Sequence, residues 1–387
     1  MVLLVLSTQV LVLTVQASGS TRGASAYLES EKTGTSAAQS FLRTNGTRIV
    51  DAYDNTVLLR GVNYWGYHHS RNTATLPHSE EDYKLFAELG FNVVRLVVSW
   101  EAFEPKPGFF DESYLEYVDQ EVKWAKNYGL YVVIDFHQSR WAQRFQGTGA
   151  PEWTVQQYPA TDDGLREAVS NFWVNSTLQE HFIQTWVTVA RFYANETAVA
   201  GYDILNEPWV YLLGCTCTGK GFVRMEDIQT LYSKAIDEIR RVDANHLIFL
   251  EMEGHNAPVL NVTNRQNLVW SPHFYPLAFG PPYGPSVYSH DELGILQSEL
   301  SVDIATFVDG TGMPIWIGEF GVPVESKMEG GKDLWMQDAK DLFGIYEVGW
   351  AWWSYGYPRP NPSPDLIPES IYHPTLTLDT LHPIRRP

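Results

Sequence analysis

Cysteine is nearly missing from this 387-residue chain, which holds only two, Cys215 and Cys217, in a single Cys-Thr-Cys loop. Two thiols are too few for a structural zinc site, so the loop is expected to hold a tight disulfide or inert thiols. Positive charge is scarce as well. There are 27 Lys and Arg against 46 Asp and Glu, a formal charge of −19. Such a surface repels phosphate and argues against nucleic acid as a partner, whereas neutral glycan or glycolipid tolerates it. The chain also lacks the glycine-rich strand-to-helix turn that cradles phosphates, which argues against phosphoryl transfer and dinucleotide chemistry.

What is present points to a packed protein. Charged residues are 19% and aromatics 14% of the chain, a composition of folded rather than disordered protein. Fourteen tryptophans and 21 tyrosines exceed what a core of this size needs. Most of the tryptophans are assigned to the core, and the rest are available to stack on sugar rings.

Residues 1–17 form an apolar run ending Val15-Gln16-Ala17, like a secretory signal without its basic start. The run is short and Thr-bearing for a membrane span, and no later stretch could cross a bilayer. Residues 18–40 read as a Ser/Thr-rich linker, and 41–387 as one catalytic domain. Acceptor sequons at Asn45, Asn175, Asn195 and Asn261 add to the expectation of a secreted glycoprotein. A hairpin is expected from residues 48–50 and 56–59 around Asp54-Asn55, closing the bottom of the fold.

Eight apolar strands then alternate with amphipathic helices, beginning near residues 59, 91, 130, 201, 246, 267, 313 and 348. That alternation predicts an α/β fold, a single (β/α)8 TIM barrel without repeats, since right-handed crossovers leave few other topologies. The stretch from Ser139 to Thr177 is expected as a long irregular loop after strand three, over the site. The proline-rich tail after Tyr357 reads as a surface strap.

The candidate chemistry sits at strand tips. Gly201-Tyr202-Asp203-Ile204-Leu205-Asn206-Glu207-Pro208 delivers an amide and a carboxylate at the end of strand four. Ile315-Trp316-Ile317-Gly318-Glu319 delivers a second carboxylate on strand seven. Barrels of this kind carry their chemistry at the carboxyl ends of the strands, and paired carboxylates are the minimal equipment for glycosidic hydrolysis. Arg95 on strand two is costly unless paired, and is the cation expected beneath one of them. His137, His273 and Tyr275 end strands three and six and could form a hydrogen-bonding ring around the pair. Asp135 is expected to orient a neighbour, Asp203 to face the barrel wall or the helix layer. Glu251 and Glu253 have no partner evident in the sequence.

Taken in order, Arg95, His137, Asn206-Glu207, His273-Phe274-Tyr275, Glu319 and Trp353 resemble the motifs of glycoside hydrolase family 5 over residues 41 to 357. The resemblance implies retaining hydrolysis of β-linked glycans, with Glu207 as acid/base, Glu319 as nucleophile and no metal or cofactor. It implies further that Asn206 bonds the sugar hydroxyl at carbon two and that Trp353 floors the subsite before the cleaved bond. Trp65, Gln138, Trp153 and Trp209 are added as candidate substrate contacts. Endo-β-1,4-glucanase (cellulase) activity, in a monomer acting on polysaccharide or oligosaccharide, is the first expectation. The run Gly149-Ala150-Pro151-Glu152-Trp153 also resembles endoglycoceramidases, so glycolipid is an alternative substrate, and mannan a third. A non-catalytic carbohydrate-binding barrel is a remote reading, because both carboxylates and the arginine are present.

Overall fold

The computed structural model describes residues 39–65, 78–208, 225–251, 264–323 and 326–356. Outside them lie the apolar segment 1–17, Cys215, Cys217, Trp209, Glu253, Asn261 and the tail from residue 357.

The barrel strands are β3 (Arg60–Trp65), β4 (Val93–Val98), β5 (Tyr131–Phe136), β6 (Val199–Asp203), β7 (Leu247–Leu250), β8 (Leu268–Trp270), β9 (His273–Phe274), β10 (Trp316–Phe320) and β11 (Gly349–Gly356). They form one parallel sheet in the order β8-β7-β6-β5-β4-β3-β11-β10-β9. Its two edges, β8 and β9, are successive pieces of one chain segment, interrupted at Ser271-Pro272. Trp270 also bridges to Ile315, and Gly318 N donates to Pro272 O across the same seam (3.1 Å). The sheet therefore closes on itself as an eight-stranded (β/α)8 barrel whose sixth strand is split, because Pro272 cannot donate to the ladder.

Side-chain parity divides the core in two. Val94, Leu96, Ile134, Tyr202, Ile248 and Leu250 face outward and pack under the helices α1 (Glu80–Glu88), α3 (Glu112–Asn127), α6 (Ser176–Tyr193) and α7 (Met225–Arg240). Val93, Val133, Leu247, Phe249, Val269 and Trp316 fill the bore. Further along the strands the bore turns polar, with Arg95, Asp135 and Asp203 all fully buried.

Two irregularities matter at the mouth. Register shifts occur between Ile317 and Phe320 on β10 and between Trp352 and Tyr355 on β11. In each strand both flanking residues pack into the outer layer, although three positions apart. A bulge resets the alternation between them and re-aims side chains, which turns Glu319 and Trp353 toward the mouth.

Two expectations are corrected. The hairpin pairs β1 (Arg43–Asn45) with β2 (Arg48–Val50), not residues 48–50 with 56–59; only Val50 bridges to Thr56. Gly46, at φ +59°, takes the first position of the two-residue turn, which glycine adopts without steric cost. Asp51 instead folds residues 51–55 into a loop, accepting from Tyr53 N and Asn55 N. Thr44 N donates to Asn267 Oδ1 (3.1 Å) and Leu42 and Ile49 join the lower bore, so the hairpin does cover the floor.

The segment Ser139–Thr177 is not irregular. It contains α4 (Glu152–Val155) and α5 (Asp162–Val174), the latter capped by Thr161 and burying Leu165, Ala168, Val169 and Phe172. The remaining helices are the short α2 (Trp100–Phe103), α8 (Leu293–Asp303) and α9 (Lys332–Ile345).

Candidate active site

Arg95 is the hub. Its guanidinium is fully buried, and Nε donates to Asp203 Oδ2 (2.9 Å). Nη1 donates to Asn63 Oδ1 (2.9 Å) and Glu319 Oε1 (3.0 Å). Nη2 donates to Asn206 Oδ1 (2.9 Å) and Glu251 Oε1 (2.6 Å), and lies 3.1 Å from Asp135 Oδ1. A planar fork with five donors suits this geometry better than a point charge. Asp135, Asp203 and Glu251 converge closely enough to hold a cation, and the guanidinium occupies that role.

Glu319 and Glu207 lie above this hub. Glu319 accepts from Arg95 and, through Oε2, from the Tyr275 hydroxyl (2.9 Å). Glu207 Oε1 lies 3.0 Å from His273 Nδ1. One oxygen of each carboxylate and one His273 nitrogen fall within 4.8 Å of one another. Glu207 is the more accessible, its side chain 20% exposed against 6% for Glu319. Its backbone is left-handed, at φ +42°, a conformation that costs energy in a non-glycine residue and must be held by its surroundings. Two contacts hold it: Glu207 N donates to Glu251 Oε2, and Gln138 Nε2 donates to Glu207 O (2.9 Å).

Burial raises Glu319 above the ordinary carboxylate range, against the pull of His273 and Arg95. For Glu207 burial also pushes upward, but the His273 hydrogen bond and the charges of His273 and Arg95 outweigh it and hold the group low. His273 itself, despite burial, is raised well above the usual imidazole value by Glu251 and Glu319. These opposed directions favour a protonated His273 beside an ionised Glu207. His137 is driven the other way by burial, to about 4, and is neutral near pH 7. Asp135 holds it at Nδ1 (2.8 Å). Burial raises Asp135 to about 8 and Asp203 to about 7, each opposed by Arg95.

Trp353 lies flat against His137, ring centroids 5.0 Å apart at 12°, and is stacked with Trp65 at 6.4 Å and 15°. The other candidates behave differently. Gln138 is buried and its amide is engaged within the protein, donating to Asn206 O and Glu207 O and accepting from Trp141 N. Trp153 donates to Glu104 O (3.0 Å) and packs edge-on to Trp100 and His181. Asn206 accepts from Arg95 through Oδ1 and donates through Nδ2 to Gln138 O (3.0 Å).

Glu251, without an evident partner in the sequence, touches Arg95, Glu207 N and, at 3.4 Å, His273 Nε2. Asp203 points into the bore, not toward the wall or helices: it accepts from Arg95 Nε and pairs with Asp135, two positions beyond the inward-facing Val133. Asn63 was overlooked too; it joins Arg95 to Gly318 O (2.9 Å), one residue before Glu319. Both could have been found by the same signal, a polar residue two positions beyond an inward-facing one.

The chain is similar to Endoglycoceramidase I of Rhodococcus hoagii (strain 103S), 27% identical over 267 residues, 65% of this chain and 51% of that protein. It is 25% identical to Cellodextrinase A of Ruminococcus flavefaciens over 287 residues, 68% of this chain and 76% of that one. A solved endogalactoceramidase superposes with a TM-score of 0.68 at 26% identity, covering 81% of this chain and 74% of its own. The chain thus spans about half the length of the Rhodococcus relative. The sequence profile "Cellulase (glycosyl hydrolase family 5)" matches residues 50–356, and the chain belongs to that family.

Proposed function

We propose that the chain is a retaining β-glycosidase that cleaves glycan from a glycolipid, with Glu319 as nucleophile and Glu207 as acid/base. The observation that carries the mechanism is the closeness of the two carboxylates, with oxygens within 4.8 Å. Retaining enzymes hold their carboxyl groups about 5–5.5 Å apart, and inverting enzymes leave about 6.5–9.5 Å for a water.

In the first step a Glu319 oxygen attacks the anomeric carbon as its bond to the aglycone oxygen breaks, and Glu207 gives that oxygen a proton. In the second, water attacks the anomeric carbon, Glu207 takes its proton, and the Glu319 carboxylate leaves. Arg95 and Tyr275, both bonded to Glu319, favour the ionised nucleophile. The proton for Glu207 is at hand. Moving it from His273 Nδ1 to Glu207 Oε1 across 3.0 Å converts the resting form into the acid-competent one without change in total protonation. Trp353 offers a flat face for the sugar, and no metal or cofactor is needed.

The glycolipid reading is supported by similarity to endoglycoceramidases in sequence and in structure. Similarity to Cellodextrinase A and to Endoglucanase C of Acetivibrio thermocellus favours the second reading, endo-β-1,4-glucanase. Sugar release from a detergent-dispersed glycosphingolipid, soluble cellulose and galactomannan, measured side by side, separates them. Turnover of cellulose without glycosphingolipid would refute the first reading. We propose further that the protein is exported as a monomer; its sequon residues Asn45 and Asn195 are exposed, and a mass loss on glycosidase treatment of secreted protein tests this.

A further inference from the structure

From Pro276 to Ser289 the chain carries no Asp, Glu, Lys or Arg, in a protein of net charge −19. This loop leaves the barrel immediately after Tyr275, whose hydroxyl donates to Glu319. It is built as a firm platform. Phe279 packs on Tyr275 with centroids 5.7 Å apart, and Trp335 Nε1 donates to Pro276 O (2.8 Å). Lys327 N donates to Phe279 O (2.9 Å) and Tyr288 N to Gly330 O (3.0 Å), joining it to the segment after Glu319. Lys327 and Glu329 are the charges in the described part of that segment, one of each sign.

At the apex Pro281, Pro282 and Tyr283 are exposed, Tyr283 by 78%, and Val287 follows at 58%. Exposed apolar groups gathered on an uncharged loop mark an interaction surface. Tyrosine suits a boundary that is apolar on one side and wet on the other. Prolines 281, 282 and 285 carry no N–H, so the apex brings few unpaired donors into such a boundary. The loop and Trp353 leave the sheet on opposite sides of β10, from β9 and β11, placing the loop away from the proposed sugar platform.

We propose that residues 279–287 dock the enzyme on a zwitterionic lipid bilayer, beside the mouth that receives a membrane-held glycolipid. The proposal rests on the glycolipid reading above. A surface of net −19 is repelled by anionic headgroups, so an uncharged phosphocholine surface is the one this loop fits. A protein partner would leave vesicle binding absent.

The test is sedimentation of the full chain with phosphatidylcholine vesicles containing lactosylceramide, and with vesicles rich in phosphatidylserine. The parent should bind the first and not the second. A Tyr283→Ser, Val287→Ser variant should bind at least about fivefold more weakly, from the apolar area withdrawn, and hydrolyse a soluble aryl β-lactoside at the parent rate. A Tyr53→Ser, Ile345→Ser variant, altered at exposed positions 84% and 73% accessible in the floor hairpin region and before β11, should match the parent in both assays. Absence of vesicle binding, equal binding by the Tyr283 variant, or preference for phosphatidylserine would overturn the docking site. Cleavage of detergent-dispersed glycosphingolipid without vesicle binding refutes docking and leaves the glycolipid reading intact. Tyr283-dependent binding with no cleavage in either format supports docking and refutes that reading.

Discussion

Replacing Glu251 with glutamine should move the alkaline limb of the pH–rate profile to lower pH. Glu251 does not face the sugar; it supplies negative charge to His273 from 3.4 Å and is the leading influence raising that imidazole. At this separation and an effective dielectric near 20, a full charge pair is worth about 5 kcal/mol. Arg95 sits 2.6 Å from the same carboxylate and offsets most of that field, so only part of it appears as a downward shift of the limb. Glutamine keeps an oxygen for Glu207 N, which limits collapse of the strained turn. The assay is kcat/KM against pH with an aryl β-glycoside, parent and variant in parallel. A lower rate with an unmoved limb would show that Glu251 acts only as scaffold, and the His273 proton reservoir would have to be abandoned.

Glu207→Ala and Glu319→Ala should each abolish nearly all turnover with an unchanged circular dichroism spectrum; azide should revive the Glu319 variant and give the inverted glycosyl azide. Arg95→Met strands Asp135, Asp203, Glu251 and Glu319 without their shared counter-charge, and urea titration should show a loss of about 3–5 kcal/mol or no folded protein. The thermal midpoint should fall from pH 5 to pH 8. Asp135 and Asp203 have folded pKa values raised to about 8 and about 7, so their stabilisation is complete below the unfolded value near 3.9 and is lost as pH rises through the folded ones. His137, lowered to about 4, acts oppositely between about 6.5 and 4, one group against two. A midpoint that climbs steadily to pH 8 in calorimetry would contradict this. Trp353→Ala should raise KM by more than it lowers kcat if the indole contributes uniform binding.

The sequence reveals the barrel because each strand is an apolar run ending in polar residues, and the helices between them carry apolar residues at helical spacing. It places Glu207 and Glu319 at strand tips for the same reason. Strand six reads as continuous because Ser271-Pro272 interrupts it for only two positions. Helix α5 was obscured by a region rich in Gly, Pro and polar residues, although Thr161 followed by Leu165, Ala168, Val169 and Phe172 is a legible helix. The inward parity of Glu251 and Asn63 is legible in the sequence, but their shared partner is not, because it lies in register. Each meets Arg95 only after neighbouring strands align, as in the pair Asn63↔Arg95. The bulges at Glu319 and Trp353 are likewise tertiary, and the count of two residues between Ile317 and Phe320 becomes informative only once both are known to face outward.

Incubation with an activated 2-deoxy-2-fluoro β-glycoside, followed by mass spectrometry of the peptides, probes the two-carboxylate site most directly. Retention through a covalent intermediate predicts one added glycosyl unit on the peptide bearing Glu319. A label on Glu207 instead, or an unlabelled enzyme whose natural product emerges with inverted configuration, would contradict it.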